Sequence, residues 1–247
     1  MSSLLTRDSF KVSSCLFVIT LMSWVYMILM ALSMRAMESH SPLLWGLPQL
    51  TMLFSMWVIM MIGMMIPSAS PYILMYDQVN RRRKERKVPY VSTFLFVAGY
   101  LAIWTIYSLI ITLVQWQLHE YAILNSSMKS SVTMFNSIIL AVAGLYQFSN
   151  LKYTCLKKCR SPLHFLTHEW KEGNLGGFRM GLMHGNYCLG CCWALMSLLF
   201  VTGVMDLTWI ALISFYVLAE KVFPKGILIG KLTGILLILS SVIAFYF

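Results

Sequence analysis

The sequence predicts an all-α protein: a polytopic transmembrane helical bundle of about seven spans, forming one integral membrane domain over residues 1–247. Three observations carry this reading. Of the 247 residues 59% are hydrophobic and only 11% are charged, and the mean hydropathy is +0.73, more apolar surface than a water-soluble domain of this length needs. The apolar residues fall in runs near the length that crosses a bilayer. The basic residues cluster in alternate connections, as cytoplasmic loops do.

Residues 1–11 are polar and carry Arg7 and Lys11 ahead of the first span, 12–32. That run is longer than the apolar core of about 7–15 residues in a secretory signal, although Ala31 and Ser33 also permit a cleavage reading; Cys15, alone within it, reads as packing. A loop with Arg35, Glu38 and His40 leads to the second span, 49–66, which Pro67 is expected to end because proline lacks an N–H and disfavours helix just before it. Residues 68–90 then read as a polar connection with Asp77 in solvent and the run Arg-Arg-Arg-Lys-Glu-Arg-Lys at 81–87 as a topology signal. Spans three and four, 91–114 and 132–149, flank a polar loop. The longest polar segment, 150–179, contains Pro162, Gly173, Gly176 and Gly177 and the solvated acids Glu169 and Glu172. Spans 180–203, 207–218 and 227–246 follow. Asp206 beside Gly203 marks a tight turn, because a carboxylate at mid-membrane costs roughly 2.5–3.5 kcal/mol.

With the N-terminus in the cytoplasm, 17 of the 19 Lys and Arg residues lie inside and only Arg35 and Lys129 outside. The expected location is therefore a membrane with the N-terminus on the cytoplasmic side and the C-terminus facing the periplasm or exterior. This sidedness accounts for the formal charge of +10 without nucleic acid. No nucleotide-binding loop, Ser/His/Asp triad or glycosidase acid pair is present, so a non-enzyme is expected.

The chemistry concentrates in Gly-Leu-Met-His-Gly-Asn-Tyr-Cys-Leu-Gly-Cys-Cys-Trp-Ala-Leu-Met at 181–196. On a helix His184, Cys188 and Cys191 fall at i, i+4 and i+7, and Cys192 lies four after Cys188. Nitrogen and sulfur donors suit Cu(I) or Zn(II), not Mg or Ca, while cysteine also serves as a small buried hydrophobe. Cys155 and Cys159 are four apart among Lys157, Lys158 and Arg160, whose charges favour thiolates. Both thiol groups enter from the cytoplasmic face, where thiols stay reduced, which favours ligation or thiol exchange over structural disulfides.

Four further features bear on the site. Met52, Met56, Met60 and Met64 form a stripe on the second span, and Met60, Met61, Met64 and Met65, nearest the inside face, offer a thioether path for Cu(I); core filling is the competing use. His164 and His168 repeat the i, i+4 spacing, or else line the wet side of an interfacial helix whose Phe165, Leu166 and Trp170 face lipid. Glu220, at the inside end of the sixth span, either pairs with Lys221 or serves as a proton acceptor or outer partner of the thiols.

The residues thus point to a membrane protein that holds or hands over a soft metal ion, Cu(I) first and zinc second, through Cys155, Cys159, His184, Cys188, Cys191, Cys192, Met60, Met61, Met64 and Met65. Its partners would be the lipid bilayer, the metal ion and a protein in metal delivery. Two readings compete: a membrane thiol-disulfide oxidoreductase using Cys188 and Cys191, and an assembly subunit of a membrane metalloenzyme.

Four blocks also resemble those of a known family: Met-Met-Ile-Gly-Met-Met-Ile-Pro-Ser-Ala-Ser-Pro at 60–71, residues 144–165 with Cys-x3-Cys-Arg, residues 181–196 with Cys-x2-Cys-Cys-Trp, and Ala-Glu-Lys-Val-Phe-Pro-Lys-Gly at 219–226. These look like successive blocks of a bacterial family of predicted metal-binding integral membrane proteins, of unknown function and sometimes labelled copper chaperones. The resemblance covers about residues 45–247 and implies a copper-handling membrane protein. Where Thr-Pro is expected after Tyr-Gln, this chain has Phe148, Ser149 and Asn150.

Overall fold

The computed structural model describes residues 2–37, 46–88, 90–121, 123–124, 128–161, 165–166 and 169–246, and its architecture is all-helical. In chain order the helices are α1 (Ser2–Met37), α2 (Leu47–Glu85), α3 (Thr93–Glu120), α4 (Thr133–Tyr146), α5 (Asn150–Arg160), α6 (Gly173–Met196), the short α7 (Leu199–Thr202), α8 (Leu207–Val222) and α9 (Gly226–Tyr246). His40, His164 and His168 lie outside the described residues.

Among the described residues five segments are long and apolar enough to cross a membrane: Phe10–Ser33, Leu47–Glu85, Thr93–Glu120, Leu175–Thr202 and Gly226–Tyr246. The count rises to six if α4 and α5, which meet at a 61° bend, form one broken span. The expected seven is not reached for a physical reason. At 1.5 Å per residue the 16-residue α8 is roughly 24 Å long, short of a hydrocarbon core of about 30 Å.

The expectation that Pro67 ends the second helix is wrong, because α2 continues through Pro67 and Pro71 to Glu85. Each proline removes the N–H that would bond the carbonyl four residues back, and each freed carbonyl finds another donor. Gly63 O accepts from Trp24 Nε1 of α1 at 3.3 Å, and Pro67 O accepts from Ser70 Oγ at 2.8 Å. Apolar surroundings tolerate helical proline when neighbours supply such partners. Most of the basic run 81–87 is therefore the last turn of a helix, and Asp77 is a buried helical acid. Asp77 Oδ2 pairs with Arg81 at 2.6 Å, and its Oδ1 accepts from Thr93 Oγ1 at 2.9 Å.

The segment 150–179 is likewise more ordered than its polarity implies. It contains α5 and the first two turns of α6, which starts at Gly173 instead of Met180. Gly177 reads as part of a polar segment, yet it lies within α6, where an added Cβ would overlap Val91 Cγ1, and glycines further along the helix serve packing too. A Cβ at Gly181 would overlap the Phe96 carbonyl of α3, and one at Gly185 would lie 2.9 Å from the Ile103 side chain. Close approach of α3 and α6 requires glycine at Gly181, and it fixes the register of the cysteines further along α6. Phe165 and Leu166 are buried and do not face lipid as expected; Phe165 meets Tyr72 edge-on with centroids 5.7 Å apart.

Burial divides the bundle sharply. Trp57, Met60, Met61, Met64, Met65, Tyr76, Tyr100 and Trp104 form the closed interior, while Leu29, Leu113, Leu236 and Ile243 stand outward with about half or more of their surface exposed.

Candidate metal centre

The thiol cluster is assembled from α5 and α6, with α2, α3 and α8 closing it. On α6 the helical repeat brings His184, Cys188, Cys191 and Cys192 to one interior face, and all four are buried. On α5, begun by Ser149 Oγ accepting from Lys152 N at 3.1 Å, the i, i+4 spacing turns Cys155 and Cys159 to α6. Cys191 lies within hydrogen-bonding reach of Cys159, Cys188 and Cys192. Cys155 Sγ rests against Gly190, where an added Cβ would come within 2.7 Å of the sulfur, so glycine there admits the α5 thiol. Five of the six cysteines thus converge in one place, all with free thiols. Cys15 stands apart on an exposed face of α1, where the sequence had placed it in packing.

The thiols are gathered without forming a finished coordination shell. Cys191 and Cys192 Sγ donate to the Cys188 carbonyl at 3.0 and 2.9 Å, which turns both back along their own helix. Among the described residues no three His, Cys, Asp or Glu side chains are arranged to hold an ion as they stand. Any ligation would begin with loss of these S–H bonds and rotation of the two sulfurs about χ1, a small motion between staggered positions.

His184 stacks on Tyr72 with centroids 3.8 Å apart and lies near Phe96 and Tyr100 at 5.9 and 5.5 Å. Its Nδ1 is buried with no hydrogen-bond partner among the described residues, an arrangement that native interiors usually avoid. One turn on, Cys188 is the most contacted thiol. Tyr100 Oη lies 3.1 Å from its Sγ and also 3.3 Å from the Met65 carbonyl, and Lys221 Nζ donates to the same sulfur at 2.9 Å. The Met65 contact sets this part of α2 against the thiols. Met60, Met61, Met64 and Met65 are all buried, whereas Met52, earlier on the stripe, is exposed.

Two assignments of charge differ from the sequence reading. The ammonium hydrogen-bonded to a thiol is that of Lys221; Lys158, whose charge also acts on Cys155, donates to Tyr187 Oη at 2.8 Å, and Arg160 to the Phe223 and Pro224 carbonyls at 2.6 and 3.0 Å. Glu220 pairs with Lys152 and not with its neighbour Lys221: Lys152 Nζ lies 2.7 Å from Oε1 and 2.9 Å from Oε2, and both side chains are almost fully buried. Gln147 Oε1 also accepts from Lys152, so the end of α4, α5 and α8 meet at one ammonium. Sequence reasoning missed Lys221, Tyr100, Ser68 and Lys152 as neighbours of the site. Adjacent opposite charges late in the apolar α8 segment were the available signal for Lys221. Lys152, in a polar stretch, carried none.

Outside α5, Thr154, Lys157, Lys158, Ser161, Phe165, Glu169 and Tyr187 line a cleft of about 370 Å³. Two of its lining residues, Thr154 on α5 and Tyr187 on α6, stand on the helices that carry the thiols.

No curated protein and no solved structure matches the chain. A family model does: residues 54–244, which take in every candidate ligand from Met60 to Cys192, match that of PpoB2, described as a copper chaperone. Five thiols and a histidine gathered inside a helical bundle agree with that description, and the chain belongs to the PpoB2 copper chaperone family.

Proposed function

We propose that the protein is a membrane-embedded, non-enzymatic chaperone that takes Cu(I) from the cytoplasmic side and passes it on by thiol exchange. Cys188, Cys191 and Cys192 with His184 form the inner ligand set, and Cys155 and Cys159 form the pair that acquires or surrenders the ion, with one ion shared by thiols of both helices where Cys159 meets Cys191. The observation that carries this reading is the contact of Cys159 on α5 with Cys191 on α6. Two thiols from separate helices give a path along which one ion moves by successive sulfur substitution, never leaving soft donors. The buried Met60, Met61, Met64 and Met65 supply weaker thioether donors deeper in the bundle.

The cleft beside Tyr187 is the mouth of this path. Its Lys157 and Lys158 would draw an anionic carrier of copper to α5, the helix that bears Cys155 and Cys159. Zinc is the second candidate ion, since thiolate and imidazole bind both. An outer surface of exposed leucine, isoleucine and phenylalanine supports a lipid environment, and the basic last turn of α2 supports the cytoplasmic assignment of that end.

Binding requires thiolates and so releases protons. Elemental analysis of the purified protein tests the proposal. Wild type is expected to retain copper, and the double substitution Cys188→Ser with Cys191→Ser to lose most of it. Wild type without copper or zinc, or equal metal content in the double variant, would remove the proposal's basis.

A further inference from the structure

Lys221 is hydrogen-bonded to a thiol, and its surroundings set it apart from an ordinary ion-paired lysine. Its side chain is only partly buried, but its Nζ reaches inward to Ser68 Oγ of α2 at 3.0 Å and Cys188 Sγ of α6 at 2.9 Å. Tyr100 and Cys191 and Cys192 also face it. The nearest carboxylate in sequence, Glu220, is turned away and committed to Lys152. Successive helical residues point about 100° apart, so the Glu220–Lys221 pair sends its acid to α5 and its ammonium to the thiols. The cluster therefore contains a positive charge that, among the described residues, is hydrogen-bonded to no carboxylate, while the charge of Glu220 is taken up mainly by Lys152.

We infer that Lys221 makes the site selective for a monovalent ion, which deepens the proposed copper function and rests on it. Repulsion between the ammonium and a bound ion scales with the charge on that ion, and is strong where water is excluded. Cu(I) with two thiolates and the Lys221 ammonium sums to zero charge. Zn(II) in the same place needs a third buried thiolate to reach neutrality and prefers four ligands in a tetrahedron. Cys188, Cys191, Cys192 and His184 would then all have to engage at once, with both S–H bonds to the Cys188 carbonyl given up, whereas Cu(I) is satisfied by two of these thiolates at a time. Ammonium and Cu(I) can stand together against shared sulfur. Ammonium and a dication in so small a volume cannot, without drawing further charge into the interior. The lysine thus acts through charge and not as a ligand.

The test is competition between Cu(I) and Zn(II) for the full-length protein in detergent. Lys221→Met removes charge and hydrogen bonds, Lys221→Gln removes charge while keeping a donor for Ser68 and Cys188, and Lys221→Arg keeps the charge. Both neutral variants should shift the affinity ratio towards Zn(II) by about tenfold or more, with Lys221→Arg close to wild type. If one neutral variant fails to fold, the other provides the comparison. The inference is overturned if neutral variants keep the wild-type ratio, if arginine shifts it as far as methionine does, or if wild type takes Zn(II) as readily as Cu(I). A wild-type protein that binds no copper would instead refute the proposed function itself.

Discussion

The two thiol groups occupy the same site but are held there by different means. The α6 cysteines stand on a helix pressed so closely against α3 that Gly181 has no room for a methyl group. The α5 cysteines stand on an 11-residue helix beyond a 61° break, which packs through Leu156 and adds polar fastenings: Lys152 to Glu220, Arg160 to two loop carbonyls, and Lys158 to Tyr187. Packing gives a rigid platform, whereas polar fastenings can be exchanged one at a time. A chaperone needs both kinds of attachment, one to keep the ion and one to receive and release it.

The sharpest way to break this contrast is Glu220→Gln. It strands the Lys152 ammonium in a buried setting, and breaking such a pair costs about 3–5 kcal/mol. A lower thermal midpoint is expected, with faster maleimide labelling of Cys155 and Cys159 than of the α6 thiols. Equal acceleration at both groups would mean that α5 is not separately fastened. The next effect in size is Gly181→Ala, which overpacks the α3–α6 contact at about 1–3 kcal/mol. Here the labelling order should reverse, with Cys188, Cys191 and Cys192 opening first, as mass spectrometry of labelled peptides would reveal. A remote control gives the smallest effect. Trp24→Phe removes the donor to Gly63 O and should lower stability by about 1 kcal/mol without favouring either group. In a Pro67→Ala background, which restores the backbone donor, the same change should cost less, and an additive double-mutant cycle would contradict the account of α2.

How much of this was legible beforehand depended on whether the signal was local. Helical spacing alone brought His184, Cys188 and Cys191 to one face and Cys155 and Cys159 to another, because i, i+4 geometry needs no tertiary information. The two prolines of α2 misled, since the donor that replaces the missing N–H of Pro67 comes from Trp24, 43 residues earlier and on another helix. Polarity misled at 150–179 for a related reason: Lys152 is spent on a buried carboxylate, and Arg160 on two backbone carbonyls beyond α8. Adjacency misled for Glu220 and Lys221, which share a helix but face different neighbours. The resemblance to a copper-handling family was legible in the four sequence blocks, and the match over residues 54–244 bears it out.

The central claim is that thiols from α5 and α6 meet at one ion, and the most direct measurement is copper K-edge X-ray absorption on the loaded protein. Wild type and Cys159→Ser should both bind Cu(I), but the variant should show one sulfur fewer around the metal, or a lighter oxygen or nitrogen neighbour in its place. An identical all-sulfur shell in wild type, Cys155→Ser and Cys159→Ser would mean that α6 holds the ion alone, and the shared centre would be contradicted.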